Sequence, residues 1–486
     1  MTSSKKILDL IYQSVKKRPT SICLKKANKE LTYKEFWNKC NNFSNYLIQK
    51  TRSSVPVVCI LEDKSFFDYI AMIGTLMSGG YYIPINKVTP KQKIIKIIQE
   101  TKANFFFSNN AYKIEKSRIN IKFINKDIAD NETNLINKKF KDSNLAYILF
   151  TSGTTGSPKG VMIKRKSLNH YANWLIKTFK LNSNNNCSQI PSIGFDLSLA
   201  DIFLSLCSGS SLVIPELRDQ IFPGEWFYKK KINHVVCTPS LIDYINSSNQ
   251  ITKKNFSQIK SIFFCGEPLY LNHINTLFKV NKKIKIINAY GPTEATCSMT
   301  SSNINIKNYL RKSSTTMSIG KAIPGMKIKI NKKINNIGEI MIAGKQLSTG
   351  YLKQKKLTKK KFIKISGEVF YKTGDLGFVK NKQLYFLSRI DNQIKINGFR
   401  VELNEIDHYL RKFGFKNTIS MFINKKIVSF VASKNFEIND VIKYLKKKLE
   451  SYKIPSKIIN MNFIPLNKNG KVDVDYLNKY YFKNEV

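Results

Sequence analysis

Segments with helical hydrophobic spacing alternate along the chain with short apolar runs. Residues 5–15 predict an amphipathic helix, because apolar side chains recur near every third or fourth position. Five apolar runs predict strands: "VPVVCIL" (55–61), "AYILF" (146–150), "HVVCT" (234–238), "SIFFC" (261–265) and "IKIINAY" (284–290). Several are apolar throughout, as strands covered on both faces are. This alternation favours an α/β architecture.

The pattern changes in the last third of the chain. Two runs alternate as half-buried strands do, "KIKI" (327–330) and "GEIMIAG" (338–344). Near residue 390, "QIKINGFRVEL" places Asn397-Gly398 between alternating runs, which predicts a hairpin. Helices are predicted in "LNEIDHYLRKF" and "NDVIKYLKKKLESY", the second capped by Asn439 or Asp440. The end of the chain therefore reads as a small α+β domain.

The most apolar stretch, "YIAMIGTLMSGGYYIPI", does not read as a membrane span. Gly79, Gly80 and Pro84 interrupt it, which predicts a buried helix, a turn and a buried strand. The first twenty residues hold no unbroken apolar stretch like that of a signal peptide. We therefore expect no membrane insertion and a cytoplasmic location. Residues 107–144 are rich in Asn and Lys and are expected to form a peripheral, weakly constrained segment.

The chain carries a formal net charge of +48. Nucleic acid or an anionic membrane is the obvious partner for such a charge. Only nine of the 81 basic residues are arginines, however, and arginine is the residue that favours base readout and bidentate phosphate contacts. The lysines are spread along the whole chain, often beside Asn and Ile. We therefore predict a basic solvated surface and no specific nucleic-acid partner.

The eight cysteines and four histidines are scattered, and no two cysteines have C-x-x-C spacing. This distribution argues against a zinc site or a disulfide framework. Most of the cysteines are predicted to be small buried thiols in a reducing compartment.

The loop "TSGTTGSPKG" (151–160) follows the apolar run "LAYILF" and combines glycines, hydroxyl residues and a lysine. Backbone N–H groups and hydroxyls in such a loop can wrap phosphates. It is not a Walker A loop, because counting from Gly153 puts Pro158 and Gly160 where that motif needs other residues. On these residues alone, a plain surface turn remains an alternative.

Eight further motifs lie along the chain, two before this loop and six after it. They are "LTYKEF", "LMSGGYYIPIN", "FDLS", "NAYGPTE", "GEIMIAGKQLSTGYL", "YKTGDL", "SRIDNQIKINGFRVELNEID" and "NGKVD". Together they resemble the adenylate-forming superfamily of acyl-CoA synthetases, luciferases and adenylation domains of nonribosomal peptide synthetases. The resemblance implies an α/β N-terminal core of mixed α/β subdomains with a β-barrel-like subdomain (1–388). A hinge (389–391) and a small mobile α+β lid (392–486) would follow.

The resemblance also implies ATP and Mg²⁺. The nucleotide-binding residues carried over by motif are Thr151, Ser152, Thr154, Thr155, Lys159, Asn288, Ala289, Tyr290, Gly291, Thr293, Asp375 and Arg389. Of these, the hydroxyls of the loop would bind phosphate, Tyr290 would lie against adenine, and Asp375 would accept the ribose hydroxyls. Glu294 would hold the metal. Without the resemblance, Asp375 would read as a turn residue, Glu294 as a helix start and Tyr290 as core.

Lys471, in "NKNGKVD", is by the same resemblance the catalytic lysine that stabilises charge on the α-phosphate and the substrate carboxylate. Arg389 would contact the ribose, and Asp391 would be the hinge. After adenylation the small domain would rotate, so that "KINGFR" helps form a tunnel for a phosphopantetheine thiol. Read on its own, Lys471 is one more solvated lysine.

Asp196 in "GFDLS" bears on the acid that is activated. A carboxylate in this apolar stretch is costly to bury without a cation, although it could instead cap the next helix. In amino-acid adenylation domains the matching aspartate pairs with the substrate ammonium. The rest of the implied pocket is small or apolar: Leu197, Ala200, Val236, Phe263, Cys265, Ala289, Cys297 and Ser298. We therefore expect a small uncharged amino acid.

The motifs "FFCGE", "FDLS" and "NAYGPTEAT" look most like those of D-alanine–carrier protein ligases, in which the cysteine before "GE", here Cys265, helps select the D-isomer. No carrier-like segment follows Lys471, so a separate phosphopantetheine carrier protein is the expected partner. An acyl-CoA or fatty-acyl ligase of the same fold, or a non-catalytic basic protein, remains an alternative. The chain departs from the common pattern at Asn86, Ser388 and Val474.

Overall fold

The computed structural model describes residues 5–51, 54–109, 121–131, 144–153, 158–334, 336–391, 393–396, 398–433, 436–466 and 472–483. They form two compact units. The larger unit is drawn from Met1–Lys87, Ile98–Phe150 and Gly160–Ile390. The smaller unit combines Asp391–Val486 with two earlier segments, Val88–Ile97 and Thr151–Lys159. The smaller unit's longest segment begins at Asp391, the last residue of the predicted hinge, and the hinge itself stays a prediction.

The strands run as follows: β1 Ile22–Lys26, β2 Lys29–Thr32, β3 Val57–Leu61, β4 Tyr81–Ile85, β5 Phe105–Phe107, β6 Lys122–Ile124, β7 Leu145–Thr151, β8 Lys159–Lys164, β9 Asn186–Ser188, β10 Ser211–Ile214, β11 His234–Cys237, β12 Ser261–Phe264, β13 Lys285–Tyr290, β14 Thr300–Ile304, β15 Lys321–Ala322, β16 Met326–Ile334, β17 Ile337–Gly344, β18 Phe362–Ile365, β19 Glu368–Lys380, β20 Gln383–Arg389, β21 Gln393–Ile396, β22 Phe399–Glu402, β23 Asn417–Ile423, β24 Lys426–Ala432 and β25 Lys457–Met461.

The α-helices run as follows: α1 Ile7–Lys17, α2 Tyr33–Thr51, α3 Phe66–Met77, α4 Lys91–Thr101, α5 Asp127–Asp130, α6 Arg165–Phe179, α7 Ser198–Ser208, α8 Leu217–Ile221, α9 Pro223–Lys229, α10 Pro239–Ser247, α11 Leu271–Val280, α12 Lys355–Lys361, α13 Leu403–Phe413, α14 Ile438–Lys448 and α15 Val474–Lys483. Short 3₁₀ turns lie at Thr293–Ala295, Leu310–Lys312 and Ser451–Lys453. Within the part of the chain that the structure describes, no helix is long and apolar enough to cross a membrane.

Three sheets form the framework of the larger unit. One has six strands in the order β6-β5-β3-β4-β7-β8, with parallel pairing from β6 through β7. The second has nine strands in the order β15-β14-β13-β12-β11-β9-β10-β1-β2, parallel from β13 to β1. The third, β16 to β20, is antiparallel. The five predicted strands are confirmed as β3, β7, β11, β12 and β13, and all residues of β3, β11 and β12 are buried.

The prediction of a half-buried strand at 338–344 is wrong in its burial, although the strand exists as β17. Its residues from Gly338 to Ala343 are all buried. Ile340 and Ile342 join the main apolar core, while Met341 and Ala343 pack with Phe370 in a separate cluster. Both faces of the sheet are therefore covered at this strand.

Two other predictions need correction. In the segment 107–144, the described residues 121–131 are not peripheral, because Ile124, Ile128 and Ala129 are buried in the main core. The cap of α14 is Glu437, not Asn439 or Asp440. The carbonyl of Glu437 accepts from the N–H of Asp440 and of Val441, so the helix begins before the predicted cap residues.

The smaller unit is α+β, as predicted. Strands β21 and β22 pair as an antiparallel hairpin, with Gly398 in the left-handed region at φ 82°. Asn397, the other turn residue, lies outside the described residues. Strands β23 and β24 are antiparallel, and β25 adds to β24 in parallel. Helices α13 and α14 supply Ile406, Leu410, Val441 and Leu445 to its core.

Candidate active site

Asp196 lies in the turn between β9 and α7, in the larger unit. It is only 6% exposed. The hydroxyl of Thr293 donates to its Oδ2 at 2.6 Å. The alternative that Asp196 is the N-cap of α7 is wrong, because Leu197 occupies the N-cap position. The turn therefore delivers a carboxylate into the interior.

The predicted pocket residues share one apolar environment in the larger unit. Leu197, Ala200, Val236, Phe263, Cys265, Ala289 and Cys297 all belong to the main apolar cluster. Burial raises the pKa of the Cys297 thiol well above its usual value, and the neighbouring Cys265 and Asp196 raise it further. Asp196 is the one carboxylic acid among these predicted pocket residues.

Tyr171, on α6, is a pocket neighbour that sequence reasoning missed. Its hydroxyl donates to Cys297 Sγ at 3.2 Å, and the hydroxyl of Ser298 donates to Tyr171 Oη at 3.2 Å. Its ring stacks with Trp174 at a centroid distance of 5.8 Å.

All eight cysteines of the chain are buried free thiols, which confirms the prediction about their burial.

Three of the predicted nucleotide residues meet at the end of β20, where Arg389 pairs with Asp375 of β19. The hydroxyl of Tyr290 donates to Asp375 Oδ2 at 2.6 Å, and Arg389 forms an ion pair with Asp375 Oδ1. The N–H of Asp375 donates to Thr373 Oγ1 at 3.0 Å. Burial, and then the charge of Asp375, raises the pKa of Tyr290 well above its usual value, so Tyr290 stays a hydrogen-bond donor.

The segment that follows β13 connects the group formed by Tyr290, Asp375 and Arg389 with the residues of the predicted amino-acid pocket. Asn288 donates to the carbonyl of Ser318 at 3.0 Å and so fixes the end of β13. A Cβ at Gly291 would lie 2.6 Å from the carbonyl oxygen of Cys297, which leaves no room for a side chain. Thr296 has φ 75°, in the left-handed region, and its hydroxyl donates to the carbonyl of Gln346 at 2.7 Å.

Glu294 is fully buried in the same segment. The hydroxyl of Tyr351 donates to its Oε1 at 2.6 Å, and Tyr371 lies beside Tyr351 with the two hydroxyl oxygens 3.3 Å apart. The N–H of Ser348 donates to the carbonyl of Glu294 at 2.8 Å. Tyr351 was missed by sequence reasoning as a partner of Glu294, although it is the tyrosine of the quoted motif "GEIMIAGKQLSTGYL".

The flanks of the predicted phosphate loop belong to the smaller unit, where they meet β22. The hydroxyl of Ser152 donates to the carbonyl of Arg400 at 2.7 Å. Lys159 Nζ lies 3.1 Å from Glu402 Oε1, and both side chains are mostly buried. The hydroxyl of Thr151 lies 3.5 Å from the carbonyl oxygen of Lys159. Their predicted contacts with ATP stay predictions.

Asp391, the predicted hinge, is the first residue of the smaller unit's longest segment. Its Oδ1 accepts from the N–H of Gln393 at 3.3 Å. Thr154, Thr155 and Lys471 lie outside the described residues.

Comparison with known proteins places these groups in context. The family model of AMP-binding enzymes matches residues 11–352. The D-alanine--D-alanyl carrier protein ligase of Staphylococcus aureus (strain Newman) is 30% identical over 471 residues, which cover 94% of this chain and 95% of that protein. The ligase of the same name from Staphylococcus epidermidis is 29% identical over 484 residues, or 96% of this chain and 97% of its own.

Among solved structures, an adenylation domain from Vibrio cholerae in complex with glycyl-adenosine-5'-phosphate superposes with a TM-score of 0.86 at 22% identity, and covers 99% of this chain and 98% of that one. Fold and comparisons together define a ligase that uses ATP and forms AMP. The chain belongs to the AMP-binding enzyme family.

Proposed function

We propose that the chain activates D-alanine with ATP and then transfers the D-alanyl group to the phosphopantetheine thiol of a separate carrier protein. The observation that carries the proposal is Asp196, a carboxylate 6% exposed among small and apolar side chains. An ammonium is the substrate group that such a carboxylate attracts most strongly. The two staphylococcal relatives, which span nearly the whole chain, carry D-alanine in their names.

The types of residue in the proposed pocket support a small side chain on the substrate. Ala200 and Ala289 are buried small residues, and Cys265 and Cys297 are buried thiols. Tyr171, whose hydroxyl donates to Cys297, and Trp174, which stacks on Tyr171, add bulky aromatic groups beside this thiol. We assign the choice of the D-isomer to Cys265, as the resemblance implies.

In the first half-reaction the substrate carboxylate attacks the α-phosphorus of ATP, and pyrophosphate leaves. Asp375, fixed by Tyr290 and Arg389, would orient the ribose, since a carboxylate has lone pairs for more partners than these two. The hydroxyls of the loop at 151–155 would bind the phosphates. Lys471 would neutralise the negative charge that develops around the α-phosphate. This charge opposes the reaction because both the substrate carboxylate and ATP are anions.

The residues present also fit Mg²⁺. This hard cation takes one or two protein carboxylates together with nucleotide phosphates. Glu294 is a buried carboxylate held in one orientation by Tyr351. Glu294 would hold the ion, which would supply positive charge to the phosphates.

In the second half-reaction the carrier thiol attacks the acyl carbon and AMP leaves. We propose that Asp391 is the hinge about which the C-terminal domain (392–486) rotates between the two steps, with 1–388 as the core. Carrier proteins are commonly acidic, so the net charge of +48 would speed the encounter. We propose a cytoplasmic location, since ATP and reduced thiols are available there.

The test is an ATP–pyrophosphate exchange panel with D-alanine, L-alanine, glycine, D-serine, propionate and a long-chain fatty acid. We expect D-alanine to give the highest kcat/KM and propionate, which differs by the missing ammonium, to give at most a trace. A fatty acid or propionate that exchanges better than every amino acid would contradict the proposal.

A further inference from the structure

The turn that carries Asp196 is held through the hydroxyl of Ser192. This hydroxyl donates to Glu62 Oε2. It accepts from Asn86 Nδ2 at 3.0 Å and from the N–H of Gly194 at 3.1 Å. A hydroxyl has one proton to donate and two lone pairs to accept with. The bonding capacity of Ser192 Oγ is therefore filled by a carboxylate, an amide and its own turn.

Glu62, directly after β3, holds a second point of the same turn. Its side chain is nearly fully buried, and Oε1 accepts from the N–H of Ile193 at 3.1 Å. Lys64 Nζ lies 3.7 Å from Glu62 Oε1 and donates to the carbonyls of Ile190 at 2.8 Å and Pro191 at 3.1 Å. Two charged residues of one loop thus fix the chain on both sides of Ser192.

Packing leaves this turn little freedom to shift. A Cβ on Gly194 would lie 2.8 Å from the N atom and 3.0 Å from the Cβ of Asn86, so the turn lies against the end of β4. The N–H of Phe195 bonds to the carbonyl of Ser192 at 2.9 Å, and the N–H of Leu199 bonds to that of Asp196 at 3.0 Å. Backbone hydrogen bonds therefore connect the segment from Ser192 to Asp196 with the first turn of α7.

We propose that Glu62, Ser192 and Asn86 are positioning residues that set the place of Asp196 for the substrate ammonium, an inference that rests on the proposed function. The three side chains form one hydrogen-bonded set. Because the hydroxyl of Ser192 donates its proton to the carboxylate of Glu62, the side chain at position 86 must be a donor, as the amide of Asn86 is. An aspartate at position 86 could only accept, and the single proton of Ser192 already goes to Glu62.

The set predicts a reciprocal rescue. In the Asn86→Asp variant two carboxylates compete for one hydroxyl proton, and the turn should shift. In the wild type, Glu62 accepts from Ser192 with one oxygen and from the N–H of Ile193 with the other. In the Glu62→Gln variant one of these oxygens becomes an NH2 group, so the side chain cannot accept both bonds. In the Glu62→Gln/Asn86→Asp double variant, Ser192 can donate to the new carboxylate and accept from the new amide. The double variant therefore restores what each single change removes.

The kinetic test is ATP–pyrophosphate exchange by the purified full chain. Each single variant should raise the KM for D-alanine about tenfold or more while the KM for ATP stays within about twofold, and the double variant should return to within about threefold of wild type. Asn303→Asp, which adds the same charge at an exposed position, is the matched control. An equal rise in both KM values, or a double variant as impaired as the product of the singles, would overturn the inference.

Hydrogen–deuterium exchange separates this inference from the proposed function. A peptide covering 189–197 should exchange faster in each single variant than in wild type and should be protected again in the double variant. Unchanged exchange in the single variants refutes the role of Glu62 and Asn86. A wild type that rejects D-alanine while the peptide follows the expected pattern refutes the proposed substrate, and leaves the positioning of Asp196 supported.

Discussion

Replacing Asp196 by asparagine removes one negative charge at nearly constant volume. Thr293 donates to Asp196 Oδ2 at 2.6 Å, and the amide oxygen of an asparagine can accept that bond. The neighbouring Leu197, Cys265 and Cys297 are buried and need no adjustment for an isosteric side chain. The change therefore tests the charge and not the packing.

The expected loss follows from the bond that the substrate ammonium would make. A hydrogen bond to a charged group contributes about 1.5–3 kcal/mol. Since about 1.4 kcal/mol corresponds to a factor of ten in kcat/KM, Asp196→Asn should lower kcat/KM for D-alanine about 10- to 150-fold. The KM for ATP should change by less than about twofold, because the bond from Thr293, a predicted nucleotide residue, can still be accepted by the asparagine.

The assay is ATP–pyrophosphate exchange with D-alanine and with propionate, run beside Asp9→Asn, the same change at an exposed position of α1. The variant should lose discrimination: exchange with D-alanine falls, while exchange with propionate stays level or rises. If Asp196→Asn keeps kcat/KM for D-alanine within about threefold of wild type, the assignment of Asp196 to the ammonium is refuted.

Four further changes test other parts of the account. Cys265→Ala should lower the ratio of kcat/KM for D-alanine over L-alanine, and an unchanged ratio would count against its stereochemical role. Lys471→Ala should abolish exchange while circular dichroism stays that of wild type; full exchange would rule out Lys471 as the catalytic cation. Asp391→Pro should spare exchange but impair thioester formation, and an equal loss of both would argue against a hinge. Burial raises the pKa of Asp68 to about 7, above its unfolded value near 4. The folded state therefore binds the extra proton in that interval and stability falls as pH rises from about 4 to 7. Asp68→Asn should flatten this slope in urea unfolding, and an unaltered slope would contradict the shift.

The sequence predicted the elements better than it predicted their surroundings. The strands β3, β11 and β12 were recognisable because a strand covered on both faces must be apolar at every position. The same reasoning failed for β17, where residue types that suit a half-buried strand are covered on the second face by Phe370, which is distant in sequence. The cap of α14 was misplaced because a backbone carbonyl, not a favoured capping side chain, begins the helix.

For the site, too, individual residues could be predicted better than the contacts they make. Asp196 could be singled out because a carboxylate stands out in an apolar stretch, whereas Glu294 and Asp375 were assigned through the resemblance of their motifs. Their pairing with Thr293, Tyr351 and Arg389 could not be predicted, since these residues become neighbours of the carboxylates only through the tertiary fold. Glu62 carried a usable signal, a charged residue directly after the apolar run "VPVVCIL", but its partner Ser192 is 130 residues away in sequence. Periodicity carries no information about contacts of that range.

The central claim is that this chain loads D-alanine onto a separate carrier protein, and the most direct measurement is the intact mass of that carrier. A holo-carrier protein bearing phosphopantetheine is incubated with the enzyme, ATP, Mg²⁺ and an equimolar mixture of isotopically distinguishable D- and L-alanine. The account predicts that the carrier gains one alanyl group carrying the label of the D-isomer, and that the apo-carrier gains none. A holo-carrier that stays unmodified while a fatty acid is activated, or that gains chiefly L-alanine, would contradict it.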